Sequence, residues 1–235
     1  MIRSVQPELL DHLPPSDAAA RGSRRDLRLI NRLMGNAGAL ADGIREVLSE
    51  LPQRPWTVVE AGAGDGTLAA RVWSRLPPPP TGSRIQLLDQ MDVVESTALD
   101  RIRSRHWHAE VRIERFEDGL ANSAGPRVDL LYANLFLHHF SSATLPDLLA
   151  RIAERSASVV FVEPRRSSVA LLGARMLLLV GCNAVTRHDA VRSVHAGFRD
   201  SDLTEAWPKT GDWDLRESAA GPFAHCFVAR RKAPR

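Results

Sequence analysis

From Trp56 onward the chain alternates short apolar runs with amphipathic stretches, and this alternation constrains the fold more than any other feature. The runs are Trp56–Glu60, Arg84–Asp89, Glu110–Arg115, Val128–Ala133 and Ser158–Glu163, followed by Trp213–Ser218 and Ala224–Arg230. Between the early runs lie stripes at helical spacing, one through Leu68, Ala69, Val72, Trp73 and Leu76, another through Leu145, Leu148, Leu149 and Ile152. Strands that alternate with amphipathic helices build a parallel sheet covered on both faces. The last two runs are joined around Gly221 and Pro222, with no room for a crossover helix, so they pair as an antiparallel hairpin. The expectation is an α/β fold on a seven-stranded, mostly parallel sheet.

Residues 1–55 read differently. Leu27, Ile30 and Met34 form one helical stripe, and Leu40, Ile44, Val47, Leu48 and Leu51 form a second, with Gly35 breaking the two. This segment is expected to be a helical N-terminal lid on a main domain of residues 56–235.

Composition removes several classes. Hydrophobic residues at 44% and charged residues at 25% are globular values. A balance of 31 basic against 28 acidic groups, net +3, does not call for a nucleic-acid partner. Cys182 and Cys226 stand far apart with no Cys/His cluster, which argues against a disulfide framework and a metal site. The longest apolar stretch, Val169 to Gly181, is interrupted by Arg175 and falls short of the roughly 20 residues a membrane span needs. The N-terminus lacks the apolar core of a signal peptide. These features suit a reducing, soluble, cytoplasmic protein. The basic tail Ala229–Arg235 reads as a solvated charge run.

The chemistry begins at Val58-Val59-Glu60-Ala61-Gly62-Ala63-Gly64-Asp65-Gly66-Thr67-Leu68. A strand ends in an acid, a glycine-rich turn follows, and a helix starts. Glycines at alternate positions let a ligand approach the main chain, and the N–H groups at the helix start face it. A dinucleotide fingerprint would need glycine where Thr67 stands, and a phosphate-binding loop would need a lysine that is absent. Glu60 would repel a pyrophosphate but suits a ligand carrying an ammonium and a sulfonium, which is a charge argument for S-adenosylmethionine (SAM).

Here the chain resembles the class I SAM-dependent methyltransferases, whose fold is Rossmann-like. Glu60, Gly62, Ala63, Gly64 and Gly66 match the family's first motif, with Glu60 where Asp is commoner. The resemblance implies that Asp89, followed by Gln90 and Met91, accepts both ribose hydroxyls, as a carboxylate's two oxygens suit a vicinal diol. It places Glu117 or Asp118, with Asp118 favoured, at the adenine amino group. Asn134 and Leu135 then lie behind the methionine moiety. The spacing from Gly62 to Asp89 exceeds the roughly 20 residues usual for dinucleotide folds, and the stiff insertion Pro77–Gly82 accounts for the excess.

The methyl acceptor is expected over Asn134-Leu135-Phe136-Leu137-His138-His139-Phe140, at the carboxyl end of the fourth strand, where open α/β sheets bind ligands. His139, then His138, is the candidate general base for deprotonating an acceptor hydroxyl as it attacks the methyl carbon. Arg165 or Arg166 could hold an acidic acceptor, while Met176–Val180, Phe198 and Trp207 offer apolar surface. His188 and His195, with Asp189, read as lid or acceptor contacts, and no metal site is expected. The NxFLHHF pattern and Ile30–Gly35 are similar to bacterial secondary-metabolism methyltransferases, including those beside type III polyketide synthases. That implies O-methylation of a phenolic, polyketide or quinone-like small molecule.

Alternatives remain open. A nucleic-acid methyltransferase would show Asn/Asp-Pro-Pro-Tyr/Phe where this chain has Ala133-Asn134-Leu135-Phe136. A SAM-binding, non-catalytic partner subunit would keep the glycine loop and Asp89 without turnover. A nucleotide-dependent oxidoreductase is disfavoured by Thr67.

Overall fold

Aliphatic residues placed at successive strand positions need cover on both faces, and the chain supplies it. A computed structural model describes residues 1–122 and 127–232. Strands β1 (Thr57–Ala61), β2 (Arg84–Asp89), β3 (His108–Ile113), β4 (Leu130–Asn134), β5 (Ser158–Pro164), β6 (Trp213–Ala220) and β7 (Ala224–Arg231) form one sheet. Its order is β3-β2-β1-β4-β5-β7-β6. The first five strands are parallel, and β7 inserts antiparallel between β5 and β6. The expected seven-stranded α/β fold with its C-terminal hairpin is the fold observed.

Alternate residues of each central strand feed two separate cores. Val58, Leu130, Tyr132, Val160 and Val228 face α2 (Asn36–Leu48), α3 (Thr67–Trp73) and α4 (Ser96–Arg103). Val59, Leu131, Ala133, Val159, Phe161 and Phe227 face α5 (Phe116–Asn122), α6 (Leu145–Arg155) and α9 (Asp202–Ala206). On the first face Trp73 packs edge-on to Trp107, with centroids 4.5 Å apart, and donates through Nε1 to Tyr132 Oη at 3.1 Å.

Three expectations change. β3 begins two residues earlier than the apolar run suggested, because it is an edge strand whose register is set by His108 pairing with Arg84 while buried Trp107 anchors its entry. The lid boundary at residue 55 also moves. α2 belongs to the core, with Leu40 and Ile44 wholly buried, so the cover over the sheet ends comes from residues 1–35, including α1 (Ala18–Leu33). The described part of the basic tail is packed rather than solvated: Arg231 lies 4.5 Å over the Trp213 ring and Arg230 pairs with Glu46 and Glu50. Residues 233–235 lie outside the described residues.

The remaining helices, α7 (Ser168–Arg175) and α8 (Ala184–Ala196), lie between β5 and β6, joined by a 3-10 segment at Met176–Val180. Among the described residues no helix is long and apolar enough to cross a membrane.

The α2–sheet contact yields a stability prediction. A Cβ at Gly43 would sit 2.8 Å from Val160 Cγ1 and 3.3 Å from Val228 Cγ2, whereas one at Gly38 meets nothing within 4 Å. Gly43→Leu should destabilise by about 1–3 kcal/mol through overpacking. Gly38→Ala in the same helix should be neutral or stabilising by up to about 1 kcal/mol. Urea midpoints of the two variants against the parent check both.

Candidate functional site

The parallel strands β1 to β5 all end on one side of the sheet, and the segments leaving β1, β2, β3 and β4 line a cavity of about 820 Å³ together with residues of the N-terminal segment and α1. Leaving β1, Gly62 turns at φ +67°, and a Cβ there would lie 2.7 Å from the Phe136 ring. Only glycine meets both demands. Gly62 and Ala63 donate through their N–H groups to Leu88 O at 2.9 and 3.1 Å. Asp89 then ties the two loops together: its Oδ2 accepts from Gly64 N at 2.8 Å and its Oδ1 from Met91 N at 2.9 Å.

Glu60 closes the floor of this cavity, 2% exposed, with Oε2 lacking a partner. Burial pushes its carboxyl well above the ordinary range; Tyr132 opposes this by hydrogen bonding, while Asp89 and Asp65 add to it by repulsion. A buried acid with an unpartnered oxygen can accept from a donor or pair with a cation.

At the end of β4 an asparagine cluster joins the N-terminal helices to the sheet. Asn31 Oδ1 accepts from Asn36 Nδ2 at 2.8 Å and from Asn134 Nδ2 at 2.9 Å, and Asn134 Oδ1 has no partner. Leu135 follows at φ +52°, a left-handed conformation unusual for a γ-branched side chain. Such strain persists only where the surroundings over-determine it. Here the determinant is Glu163, fully buried at the end of β5. Its Oε1 accepts from Phe136 N and Leu137 N at 3.0 and 2.8 Å, and its Oε2 from His138 N at 3.3 Å.

Glu163 Oε2 also meets His138 Nδ1 at 2.9 Å, and His138 Nε2 lies 3.3 Å from Glu8 Oε1. Burial alone would lower the His138 pKa. The two carboxylates outweigh it and raise it to about 9. Glu8 behaves conversely: burial would raise it, but His138, His139 and Ser193 bring it down to about 2. The pair is therefore a buried clasp that fastens residues 1–12 across the strand ends. That strap is also held where Asp189 accepts from Leu9 N and Leu10 N at 2.8 and 2.9 Å, and where Ser4 N donates to His195 O at 3.0 Å.

Glu60, Gly62, Ala63, Gly64, Asp89, Gln90, Met91, Glu117, Asn134, Leu135, His138 and His139 all line the cavity. Gly66 does not. It turns at φ +74° against Val94 and Ala98, where a Cβ would lie 3.2 Å from each, so its task is to seat α3 on α4. Asp118, favoured over Glu117 from sequence, points out to solvent; Glu117 is the neighbour on the cavity side. One residue along a helix rotates a side chain by about 100°, and the sequence carries no mark of where α5 begins.

His138 has neither nitrogen free, so it is a positioning residue rather than a base. His139 is about one-third exposed, with Nδ1 3.4 Å from Asp11 Oδ2. Phe198 and Trp207 lie fully buried in the core on the opposite face and line neither cavity described here. Arg166 is buried against Asp202 and the carbonyl of Gly197, which removes it as an acceptor-holding group. His188 binds Asp189 at 2.7 Å.

Sequence reasoning missed Glu8, Asp11 and Ser193, together with Arg24, Arg28 and Asn31 of α1, which complete the wall. It also missed that Glu8, His138 and His139 offer ligand atoms within 4.8 Å of one another, since 130 residues separate Glu8 from His138. Arg28 is signalled only as a surface helix charge, yet it pairs with Asp65 of the glycine loop at 3.3 Å.

No family model matches the sequence, and no curated protein matches it. Solved structures do. The plantazolicin methyltransferase BpumL in complex with SAH is similar over 92% of this chain and 92% of its own, at 12% identity and a TM-score of 0.62. An O-methyltransferase family protein from Burkholderia thailandensis is similar over 94% of this chain and 65% of its own, at 19% identity and a TM-score of 0.53. Magnesium protoporphyrin IX methyltransferase from Synechocystis PCC 6803, with bound SAH, is similar over 95% and 91%, at 10% identity and a TM-score of 0.53. At these identities the likeness is one of fold: the chain has the fold of SAM-dependent methyltransferases.

The clasp makes stability pH-dependent in a defined direction. His138 sits at about 9 against an ordinary 6.5, so its contribution is complete below pH 6.5 and is lost as pH rises through 9. Glu8 sits at about 2 against an ordinary 4.5, so its contribution is present above pH 4.5 and is lost as pH falls through 2. Thermal midpoints should be highest between pH 4.5 and 6.5 and decline towards 9. His138→Gln should lower the midpoint overall, because two buried carboxylates lose their counter-charge, and should abolish most of the alkaline decline.

Proposed function

We propose that this chain is a SAM-dependent methyltransferase that transfers a methyl group to an oxygen of a small-molecule acceptor, a phenolic or quinone-like compound. The observation that carries the reading is the cavity floor: an orphaned buried acid, Glu60, beside a left-handed glycine loop and a strand-end carboxylate, Asp89. A ligand bearing an ammonium and a sulfonium at one end and a vicinal diol further along satisfies all three. A cation beside Glu60 favours its ionised form and offsets the desolvation that burial imposes. A phosphate-bearing nucleotide would meet Glu60, Asp65 and Asp89 together.

The residues that would hold SAM follow from their places. Asp89 keeps one lone pair on each oxygen beyond those already used by Gly64 and Met91, enough for two ribose hydroxyls. Glu117, on the cavity side of α5, is the acid available to the adenine amino group. Asn134 presents its unpartnered Oδ1 behind Leu135. Bound there, SAM supplies an electrophilic methyl group.

The chain's own contribution is alignment and exclusion of water. Phe116, Phe136 and Phe140 line the cavity and pack edge to face, with centroids 5.1 and 5.4 Å apart, a surface suited to a flat ring. Glu8, Leu10, Asp11 and His12 of the strap line the same cavity. His139, next to the buried clasp and open to the cavity, is the residue placed to take the acceptor's proton.

Calorimetric titration with SAH tests the reading directly, and absence of binding would overturn it. Asp89→Asn should weaken SAH at least about tenfold by removing a charge-assisted pair of hydrogen bonds. His139→Ala should leave SAH affinity unchanged and lower turnover on a phenolic acceptor by about 10²–10⁴-fold, with partial rescue by added imidazole. Undiminished turnover in that variant would remove the base.

A further inference from the structure

A second cavity, about 270 Å³, lies behind the strap and shares a wall with the first. Glu8, Leu10, Leu27, Leu135 and Ser193 border both. Beyond that wall the lining is almost wholly hydrocarbon: Ile30 and Met34 on one side, Ala174 and Leu177 on another, Phe223 on a third. The polar groups at its margin are already engaged. Thr186 Oγ1 bonds Ser23 Oγ and Asp26 Oδ2, each at 2.9 Å, and Asp189 is held by the strap and His188. What this cavity offers a ligand is therefore an aliphatic surface, with polar groups only where it meets the first cavity.

Its outer rim is apolar and faces solvent. Val169, Leu172, Met176, Leu178, Leu179 and Val180 are 48–75% exposed, and Met176, Leu179 and Val180 also line the cavity. Soluble surfaces seldom keep such a contiguous patch without use for it. The balance of charge around it is positive. Between Pro164 and Phe198 the chain carries five arginines, of which Arg166 is spent on Asp202, and one acid, Asp189, which is buried. Asp26 of α1 is engaged with Asn183 and Thr186 of the same segment, leaving Arg165, Arg175, Arg187 and Arg192 as the charges beside the patch. Exposed aliphatic side chains set among arginines fit an anionic lipid surface, the apolar groups entering the acyl boundary and the guanidinium groups meeting headgroups.

We propose that the acceptor is an amphiphile whose aliphatic chain occupies the second cavity while its hydroxyl reaches the first, and that residues 169–180 are the face laid on an anionic bilayer to take it up. The proposal rests on the methyltransferase reading and names its substrate class. The shared wall fixes the order of the parts. A molecule spanning both cavities has its polar end at His139 in the first and its hydrocarbon towards the exposed rim.

Two measurements test it, and SAH titration runs beside both. For the chain, 4-alkylphenols of increasing length are titrated into the SAH-loaded protein. Affinity should rise about fourfold per buried methylene until the cavity is full, and Leu177→Trp should remove that rise without altering SAH affinity. For the surface, co-sedimentation with phosphatidylcholine vesicles containing phosphatidylglycerol should exceed that with phosphatidylcholine alone. Leu172→Asp with Leu178→Asp, both exposed and outside the cavity lining, should cut the bound fraction at least tenfold. Affinity independent of chain length, or vesicle binding unchanged in the double variant, overturns the proposal while intact SAH binding leaves the methyltransferase reading standing. Loss of SAH binding in the parent protein overturns the reading itself.

Discussion

A fully buried carboxylate, Glu163, determines how the far end of the sheet is built. Isolated, it would cost several kcal/mol to desolvate. It is accommodated because three consecutive backbone N–H groups and the His138 ring converge on it. That convergence fixes the turn after β4, and the turn in turn forces Leu135 into its left-handed conformation and lays Phe136 against Gly62. The positive charge on His138 then has a second face to satisfy, and Glu8 satisfies it. The strap over the cavity is thus a consequence of burying one acid at the end of β5. Because each partner would be left as an unpaired buried charge by loss of the other, the three groups stand or fall together.

This explains which parts of the molecule were legible in sequence. Strand positions follow from local composition, so all seven strands begin within two residues of where their apolar runs do, β3 and β4 being two residues off. The glycine loop and Asp89 are legible because their chemistry is carried by neighbours in the chain. Glu8 is not, because nothing within residues 1–12 signals a partner 130 residues away. Arg166 looks like half of a solvated pair in sequence, and only the approach of Asp202 and Gly197 makes it a buried strut. Phe198 and Trp207 are aromatic residues in an insert, which is as good a description of an acceptor pocket as of a core; the sheet face they reach decides between them. The hairpin, too, was readable as a pairing of neighbours, whereas the insertion of β7 beside β5 depends on β5 offering a free edge.

On the proposed reading, the two cavities divide work that one large pocket would do poorly. A site that must hold a cationic ligand needs acids and open backbone groups, as around Glu60 and Asp89. A site that must hold hydrocarbon gains nothing from them, because each unpaired polar atom would remain hydrated and weaken apolar burial. Where the two cavities meet, the strap presents side chains whose polar atoms are spent on one another: Glu8 on His138 and Ser193, Asp189 on the strap's own backbone. Polar groups that are internally satisfied can line the junction of an apolar cavity and a charged one.

On the proposed methyltransferase reading, the same junction bears on how water is kept from the transferred methyl group. A methyl acceptor competes with water for the electrophile, and an open crevice at the strand ends would admit both. Along the strap, Glu8 and Ser193 already have their hydrogen bonds, so a water entering on that side finds few partners. His139 differs, since the clasp fixes its neighbour and leaves its own ring about one-third exposed. On the proposed reading, rigid burial of one histidine is what leaves the next to meet the acceptor.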